Sequence, residues 1–241
     1  IGPNGLPNWK ETFANMRLNA STIDADDIKH FLPAEAFKMA DRLATVKLDG
    51  SFLGFYKDFV ANGTFATALG NVQSDINLKI DDDKRTSSYK GYLKTNNFNL
   101  GKLIGNTDLI KTISMEGRLA GSGFTLETSN AEVDVTISQL LLKDYNYRNI
   151  KANGNLSLEK FAGQLAVKDP NLAFTADGEV YLDQNSQAFN MEADLQHINL
   201  QALKLTKEPI VISADANLNF KGLKLDEFEG VARFDSATVT Y

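Results

Sequence analysis

The stretch that decides the fold is Leu48–Gly54, LDGSFLG, because similar phrases return twice later in the chain. The second copy is MEGRLAG at Met115–Gly121, and a looser third copy is ADANLNFK at Ala214–Lys221. In each copy apolar and polar residues alternate, as on a β-strand with one apolar face. The central glycine of the first two copies lets a strand bend sharply or approach its neighbour closely. We therefore predict a sheet that repeated glycine bends curl into a gutter.

A second recurring piece precedes each phrase. It reads NFNLGKL at Asn97–Leu103 and HINLQAL at His197–Leu203, with a degenerate copy, TIDADDI, at Thr22–Ile28. Asn99 and Asn199 are placed to cap a short helical turn, in which the following leucines, three residues apart, share one face. The phrase copies begin at 48, 115 and 214, so the spacing is unequal. This predicts a sheet extended by units of different length rather than a strict solenoid.

The rest of the chain alternates in short runs separated by turn residues. We predict about fifteen short strands in sequential antiparallel pairing from Thr45 onward, with Asn153-Gly154 and Asp177-Gly178 among the turns. Residues 1–44 are predicted to be an irregular lead-in with short helices, and 45–241 a repetitive β-segment. The clearest helix is predicted at Ala34–Leu43, and a weaker helical segment at Leu100–Ile113.

Alternation alone leaves two architectures open. One apolar face of such a sheet must be covered, and a single helix of three turns cannot cover it. The sheet either folds over into a closed sandwich or barrel, or it stays open as a trough whose floor contacts an apolar ligand. Both need the same period-two pattern.

Composition excludes several classes of function. The 241 residues carry a net charge of −6, which argues against nucleic acid as a partner. The absence of cysteine excludes disulfides and thiolate metal sites. The sequence contains no phosphate-binding loop, nucleophile elbow or metal-ligand motif. We expect no enzyme activity, cofactor, bound metal or catalytic residue, and assign a structural role to the carboxylates that recur in the phrases, Asp49, Glu116 and Asp215.

The larger units resemble the repeats of the TamB family and of the wider AsmA-like group of envelope proteins. The residues that carry the resemblance are Leu48–Phe65, Met115–Val135 and Ala214–Phe234, each with its preceding capped piece. Asn77–Leu103, NLKIDDDKRTSSYKGYLKTNNFNLGKL, resembles versions from the Bacteroidetes in particular.

The resemblance implies a taco-like trough with an apolar interior. Members of the family are anchored in the inner membrane by an N-terminal helix and cross the periplasm toward an Omp85-type outer-membrane partner. They are implicated in phospholipid transport and in the assembly of outer-membrane proteins, and have no catalytic residues. The chain reads as a middle fragment, with the anchor expected outside it.

We therefore predict a mostly β fold: a long antiparallel curved sheet forming a U-shaped trough with an apolar interior, plus one or two short helices. The expected function is a segment of a lipid conduit that carries phospholipid acyl chains between the two membranes and supports outer-membrane biogenesis. The alternatives are a chaperone-like module that binds outer-membrane clients by β-strand addition, and a structural β-sandwich. The candidate groove-lining residues are Leu48, Phe52, Ile76, Leu78, Ile80, Leu93, Val133, Val135, Ile137, Leu156, Leu158, Met191, Leu195, Leu218 and Phe220.

Overall fold

The chain folds into one antiparallel sheet whose strands lie side by side in chain order. The computed structural model describes residues 11–28, 34–81, 86–123, 128–157, 159–181, 188–221 and 229–241; the side chains of 34–36 and 39 are not described. In this part of the chain the sheet has 13 strands, is curved and does not close on itself. The predicted fold class, a long open curved sheet, is confirmed, and the closed sandwich and barrel are wrong.

The strands are long, and the helices are short. The strands are β1 Ala14–Ile23, β2 Val46–Phe55, β3 Asp58–Thr67, β4 Gly70–Lys79, β5 Ser88–Phe98, β6 Ile110–Ser122, β7 Asn130–Leu142, β8 Tyr145–Ser157, β9 Lys160–Asp169, β10 Leu172–Tyr181, β11 Ala188–Asn199, β12 Val211–Lys221 and β13 Glu229–Thr240. The helices are α1 Ala25–Ile28, α2 Ala34–Leu43 and α3 Leu100–Ile104.

The predicted helices are found, with one correction. α2 has the predicted bounds, and Phe37, Ala40 and Leu43 are its half-buried face. The segment predicted at Leu100–Ile113 is helical only as far as Ile104. Gly105 follows in a left-handed conformation, with φ of 81°, and ends the helix.

The sheet starts earlier than predicted and has fewer, longer strands. β1 lies inside the predicted irregular lead-in and pairs with β2. Its sequence, ANMRLNASTI, has few large apolar residues, and a register shift between Leu18 and Ser21 interrupts their alternation. Asn153-Gly154 and Asp177-Gly178, predicted as turns, lie in the middle of β8 and β10. The strands after residue 45 therefore number 12 rather than about fifteen.

All three helices follow odd-numbered strands, so they lie along the same side of the sheet. We call this side the capped rim; it holds the connections 24–45, 99–109 and 200–210. The predicted caps are confirmed there. The Asn99 side chain accepts a hydrogen bond from the Lys102 N–H at 2.9 Å, and that of Asn199 accepts one from the Ala202 N–H at 3.0 Å.

A small hydrophobic core forms where α3 meets the ends of the strands. Leu69, Phe98 and Ile113 are buried there, and partly buried side chains pack against them, among them Leu43 of α2 and Leu103 of α3. The Arg42 guanidinium of α2 donates a hydrogen bond to the Leu103 carbonyl oxygen, tying the two helices together.

The strands make extensive contacts only with their immediate neighbours. In the described part of the chain, each strand packs closely against the strand before it and the strand after it. The molecule is therefore built as a succession of pairs, without a central core shared by distant strands.

Candidate functional site

Four parallel rows of side chains cross the sheet on one face, which we call the apolar face. Following the pairing from strand to strand gives the floor row: Leu18, Gly50, Gly63, Ser74, Leu93, Gly117, Val135, Ala152, Leu165, Ala176, Ala193, Ala216 and Phe234. Two residues along each strand, away from the capped rim, lies the second row: Met16, Phe52, Ala61, Ile76, Gly91, Leu119, Val133, Gly154, Gly163, Gly178, Met191, Leu218 and Ala232.

The other two rows lie on either side of the floor row and the second row. The third row is Ala14, Gly54, Phe59, Leu78, Tyr89, Gly121, Ala131, Leu156, Phe161, Val180, Phe189, Phe220 and Gly230. On the opposite side of the floor row lies the capped-rim row: Ser21, Leu48, Phe65, Val72, Thr95, Met115, Ile137, Ile150, Val167, Phe174, Leu195 and Ala214.

The four rows contain no charged side chain. Their only side chains with aliphatic hydroxyls are Ser21, Ser74 and Thr95, and each of these donates a hydrogen bond to a backbone carbonyl oxygen. A hydroxyl that donates to a backbone carbonyl oxygen presents little polarity to the face. The apolar surface therefore runs without a charged interruption from β1 to β13.

The repeated phrases occupy the same rows. Leu48, Met115 and Ala214, which begin the three copies, all lie in the capped-rim row. The central glycines Gly50 and Gly117 both lie in the floor row. The sequence repeat is thus a repeat of position in the sheet, as expected for units that extend it.

The residues selected from the sequence come together on this face. Thirteen of them lie in the four rows: Leu93 and Val135 in the floor row; Phe52, Ile76, Val133, Met191 and Leu218 in the second; Leu78, Leu156 and Phe220 in the third; Leu48, Ile137 and Leu195 in the capped-rim row. Ile80 follows the end of β4, where its N–H donates to the Lys57 carbonyl oxygen at 2.7 Å. Leu158 lies outside the described residues.

Sequence reasoning missed the small residues of the floor row. Ala176, Ala193 and Ala216 are buried and form a cluster with Leu195, against which Phe174 and Met191 pack. Alanine is small and contributes little to a hydrophobic period, so only its phase relative to flanking apolar residues could have identified these positions.

The apolar face is only partly covered. Among the described residues no large side chain is less than 2% exposed, whereas a closed domain buries such side chains completely. The chain exposes 14728 Å², and a compact monomer of its mass, 26.5 kDa, exposes about 10,700 Å². Phe52, Ile76 and Leu218 remain half-buried. The face is therefore accessible in part, although floor-row residues such as Val135, Ala176 and Ala193 are buried.

Three glycines of the second row let neighbouring strands approach closely. Gly154, Gly163 and Gly178 are directly paired across β8, β9 and β10. A Cβ atom on Gly163 would lie 2.3 Å from the Asn153 carbonyl oxygen, closer than any ordinary Cβ contact, and its φ of 153° disfavours other residues. Only glycine permits this approach of neighbouring backbones.

The opposite face is polar beside the floor row. A groove of about 900 Å³ runs along it from β7 to β13. Its lining combines floor-row residues with the polar residues on either side of them and includes no member of the second or capped-rim row. This groove therefore lies on the polar face and is distinct from the apolar trough.

The lining of the polar groove is strongly acidic. Its lining includes six carboxylates, Asp134, Asp177, Glu192, Asp194, Asp215 and Asp235, against one lysine, Lys151. No three acidic or histidine side chains of the described residues are grouped to hold a metal ion. The groove is a solvated anionic surface.

The recurrent carboxylates Asp49, Glu116 and Asp215 all lie on the polar face, next to the floor row. The Lys94 ammonium donates to a Glu116 carboxylate oxygen at 2.7 Å, and both side chains are about half exposed. This hydrogen bond, aided by the lysine's charge, lowers the pKa of Glu116 and raises the pKa of Lys94. The pairing is a cross-strand contact typical of a structural role.

One buried carboxylate ties strand ends together at the capped rim. Asp169 is only 4% exposed and accepts hydrogen bonds from the Tyr145 hydroxyl and from the backbone N–H groups of Arg148 and Asn171. Burial, together with the bond to Asp169, raises the pKa of Tyr145. Each of these donors has the Asp169 carboxylate as its acceptor, so the network joins the start of β8 to the turn between β9 and β10.

No helix among the described residues combines the length and the apolar character needed to cross a bilayer. Comparison of the chain with protein-family models, with curated proteins and with solved structures gives no significant match.

Proposed function

We propose that this chain is a segment of a lipid conduit in the cell envelope, in which phospholipid acyl chains lie along the apolar face. The observation that carries the proposal is the partly exposed apolar face, which continues across the 13 strands of the described residues without a charged side chain in its four rows. Transfer of acyl chains onto such a surface is favoured by the hydrophobic effect. No enzyme chemistry, cofactor or metal is required.

The sheet is long enough, measured across its strands, to hold several lipids in a row. Thirteen strands span 12 intervals of about 4.8 Å, or about 58 Å. An acyl chain, which fills one leaflet of about 15 Å, occupies about three strand intervals. Head groups remain in water at the rims while the chains follow the floor.

The resemblance to the TamB family supports the same function and supplies its setting. By that resemblance, the complete protein is anchored in the inner membrane, crosses the periplasm and meets an Omp85-type protein of the outer membrane. Transport along the trough would then move phospholipid between the membranes and support outer-membrane biogenesis. This chain contributes the path, and other segments contribute the attachments.

The test compares two adjacent positions on opposite faces of β7. Val135 lies in the floor row and is buried, whereas Thr136 is exposed on the polar face. The protein and its variants Val135→Arg and Thr136→Arg are purified from a bacterial envelope under mild conditions and examined by native mass spectrometry with lipid extraction. We expect near-stoichiometric phospholipid on the parent protein and on Thr136→Arg, and at least a tenfold loss on Val135→Arg.

Circular dichroism verifies that both variants retain the sheet. Because a charge in the floor could unfold the strand, Leu218→Arg, at a half-buried position of the second row, provides an independent variant. An apo mass for the parent protein, or equal lipid on folded floor and polar-face variants, would refute the conduit.

A second candidate function is strand addition to outer-membrane client proteins. The observation that favours it is that β1 and β13 each pair with one strand only in the described part of the chain. An exposed strand edge can accept a further strand through its backbone. Crosslinks from β1 or β13 to a client protein, with no bound lipid, would favour this function over the conduit.

A further inference from the structure

The connection 200–210 at the capped rim holds a leucine out in solvent. Leu205 is 60% exposed, more than any other large apolar side chain of the described residues except Tyr241. Leu203, two residues earlier, is only 6% exposed and attaches the turn to the fold. Leu205 is therefore available for a contact outside the chain.

Hydrogen bonds fix the direction of Leu205. Lys204 has a left-handed conformation, with φ of 61°, and its N–H donates to the Gln201 carbonyl oxygen at 3.0 Å. The Leu205 N–H donates to the Leu200 carbonyl oxygen at 2.9 Å. Turns of this kind often pack the residue at the position of Leu205 back on the residue at the position of Leu200. More than half of Leu205 nevertheless stays exposed, so such packing does not account for it.

The other copy of this turn shows that the fold does not require a leucine at this point. Gly105 ends α3 in a left-handed conformation, with φ of 81°, as Lys204 ends the second turn. The residue that follows is Asn106, whose side chain accepts a hydrogen bond from the Leu109 N–H at 3.3 Å. A polar residue thus completes the first turn, and Leu205 adds apolar surface that the turn itself does not need.

The part of the capped rim around Leu205 is positively charged. We call it the basic rim and define it as 99–111, 143–148, 168–171 and 200–210. These segments carry seven lysines and arginines against four carboxylates, a net charge of +3, on a chain whose net charge is −6. The basic rim therefore attracts anions, in contrast to the acidic groove on the polar face.

Two lysine contacts join separate segments of the basic rim beside Leu205. The Lys204 ammonium donates to the Asp144 carbonyl oxygen at 3.3 Å, and the Lys111 ammonium lies 3.3 Å from the Asp144 carboxylate. Lys207, two residues after Leu205, is exposed. The exposed leucine is thus flanked by lysines from two connections of the rim.

We propose that the basic rim is a docking surface for an anionic lipid bilayer, and that Leu205 enters the head-group layer. Apolar contact and attraction to anionic lipids together bind proteins to a membrane surface. Lysine is a compact, hydrated point charge that suits many head groups, whereas arginine is preferred for fixed carboxylates of a protein partner. One protruding leucine needs no matching shape in a head-group layer, while a stable protein interface buries about 800 Å² on each partner. This proposal does not depend on the lipid conduit.

The test is sedimentation of the full chain with vesicles of phosphatidylglycerol mixed with phosphatidylcholine, and with vesicles of phosphatidylcholine alone. We expect at least tenfold stronger binding to the mixed vesicles at low salt, and a smaller difference as salt screens the lysines. Leu205→Asn, which introduces the residue type of the first turn, should weaken binding at least fivefold. The matched control is Leu53→Asn, at an exposed leucine of β2 on the polar face, and it should leave binding unchanged.

Charge variants test the lysines separately. Lys207→Gln should weaken binding about fivefold, the contribution of one lysine near an anionic surface. Lys90→Gln, at an exposed position of β5 outside the basic rim, is its control and should have no effect. Val135→Arg in the floor row should retain vesicle binding, which separates this surface from the trough.

A dye on a single introduced cysteine locates the contact. The chain has no cysteine, so Leu205→Cys and Leu53→Cys can each carry an environment-sensitive fluorophore. We expect anionic vesicles to shift its emission to the blue at 205 and not at 53. Equal binding to both kinds of vesicle, or full binding by Leu205→Asn, would overturn the proposal. A response at 205 to polyglutamate but not to vesicles would also overturn it, and would indicate an acidic protein as the partner.

Discussion

Replacing Gly163 by alanine should destabilise the sheet far more than the addition of one methyl group usually does. The new Cβ atom would lie 2.3 Å from the Asn153 carbonyl oxygen and 2.6 Å from the Gly154 Cα atom. Both obstacles are backbone atoms of β8, so no side chain can move aside to relieve the contact. Either the two strands separate locally, or residue 163 leaves its φ of 153°.

The expected loss follows from these two costs. A non-glycine residue held in this sparsely populated conformation costs about 1–3 kcal/mol. Overpacking against fixed atoms adds about 1–3 kcal/mol. The total of about 2–6 kcal/mol is a large part of the 5–15 kcal/mol typical of a whole domain, so we expect a marked fall in the free energy of unfolding.

Urea denaturation followed by circular dichroism measures this change. The matched control is Gln164→Ala, the next residue along β9, whose side chain is exposed on the polar face. The control should alter the free energy of unfolding by no more than about 0.5 kcal/mol. A Gly163→Ala protein as stable as this control would refute the conclusion that only glycine permits this approach of the two strands.

Asp169→Ala should lower the free energy of unfolding by about 2–4 kcal/mol in urea denaturation, because three donors at the capped rim lose their buried acceptor; no loss would show that water replaces the carboxylate without cost. Asn199→Ala should cost about 1 kcal/mol and speed amide exchange in the turn that follows it, and unchanged exchange would contradict the capping role. Lys94 lowers the pKa of Glu116 in the folded state, so the pair's contribution to stability is complete above the unfolded pKa of the glutamate and is lost as pH falls through the folded one. Glu116→Gln should therefore show a smaller loss of stability on acidification than the parent protein, and identical pH profiles would exclude the contribution.

The face of the sheet could be predicted from sequence because alternation has a period of two. Runs such as Val133–Ile137 and Met191–Leu195 place every second side chain on the same side, whatever the neighbouring strand. Thirteen of the fifteen selected residues consequently share one face. That they line a path for lipid remains a prediction.

The positions of the bends could be predicted only in part. Gly50 and Gly117 were assigned to bends because apolar residues flank them within a repeated strand. Gly154 and Gly178 follow Asn153 and Asp177, and such pairs are also the strongest local signal for a tight turn. The distinction depends on the approach of the neighbouring backbone, which no short window of sequence contains.

The alternation of apolar and polar residues could not show whether the sheet is open, since closed and open sheets need the same alternation. An open sheet became an expectation only through the resemblance to the TamB family. β1 was missed because Leu18 and Ser21 flank a register shift, so the apolar residues on its two sides fall out of phase. Irregular edge strands of this kind carry too few alternating residues for their pattern to stand out from a loop.

Because each strand packs mainly against its two neighbours, the length of the sheet is set by the number of its strands. The first phrase lies on β2, the second on β6 and the third on β12, so four and then six strand-to-strand intervals separate them, which correspond to about 19 Å and about 29 Å. Since each copy enters at the same row, duplicating a unit would lengthen the sheet and keep each row in its place. Copying hairpins can thus change the length of such a sheet while the residues of its rows stay the same.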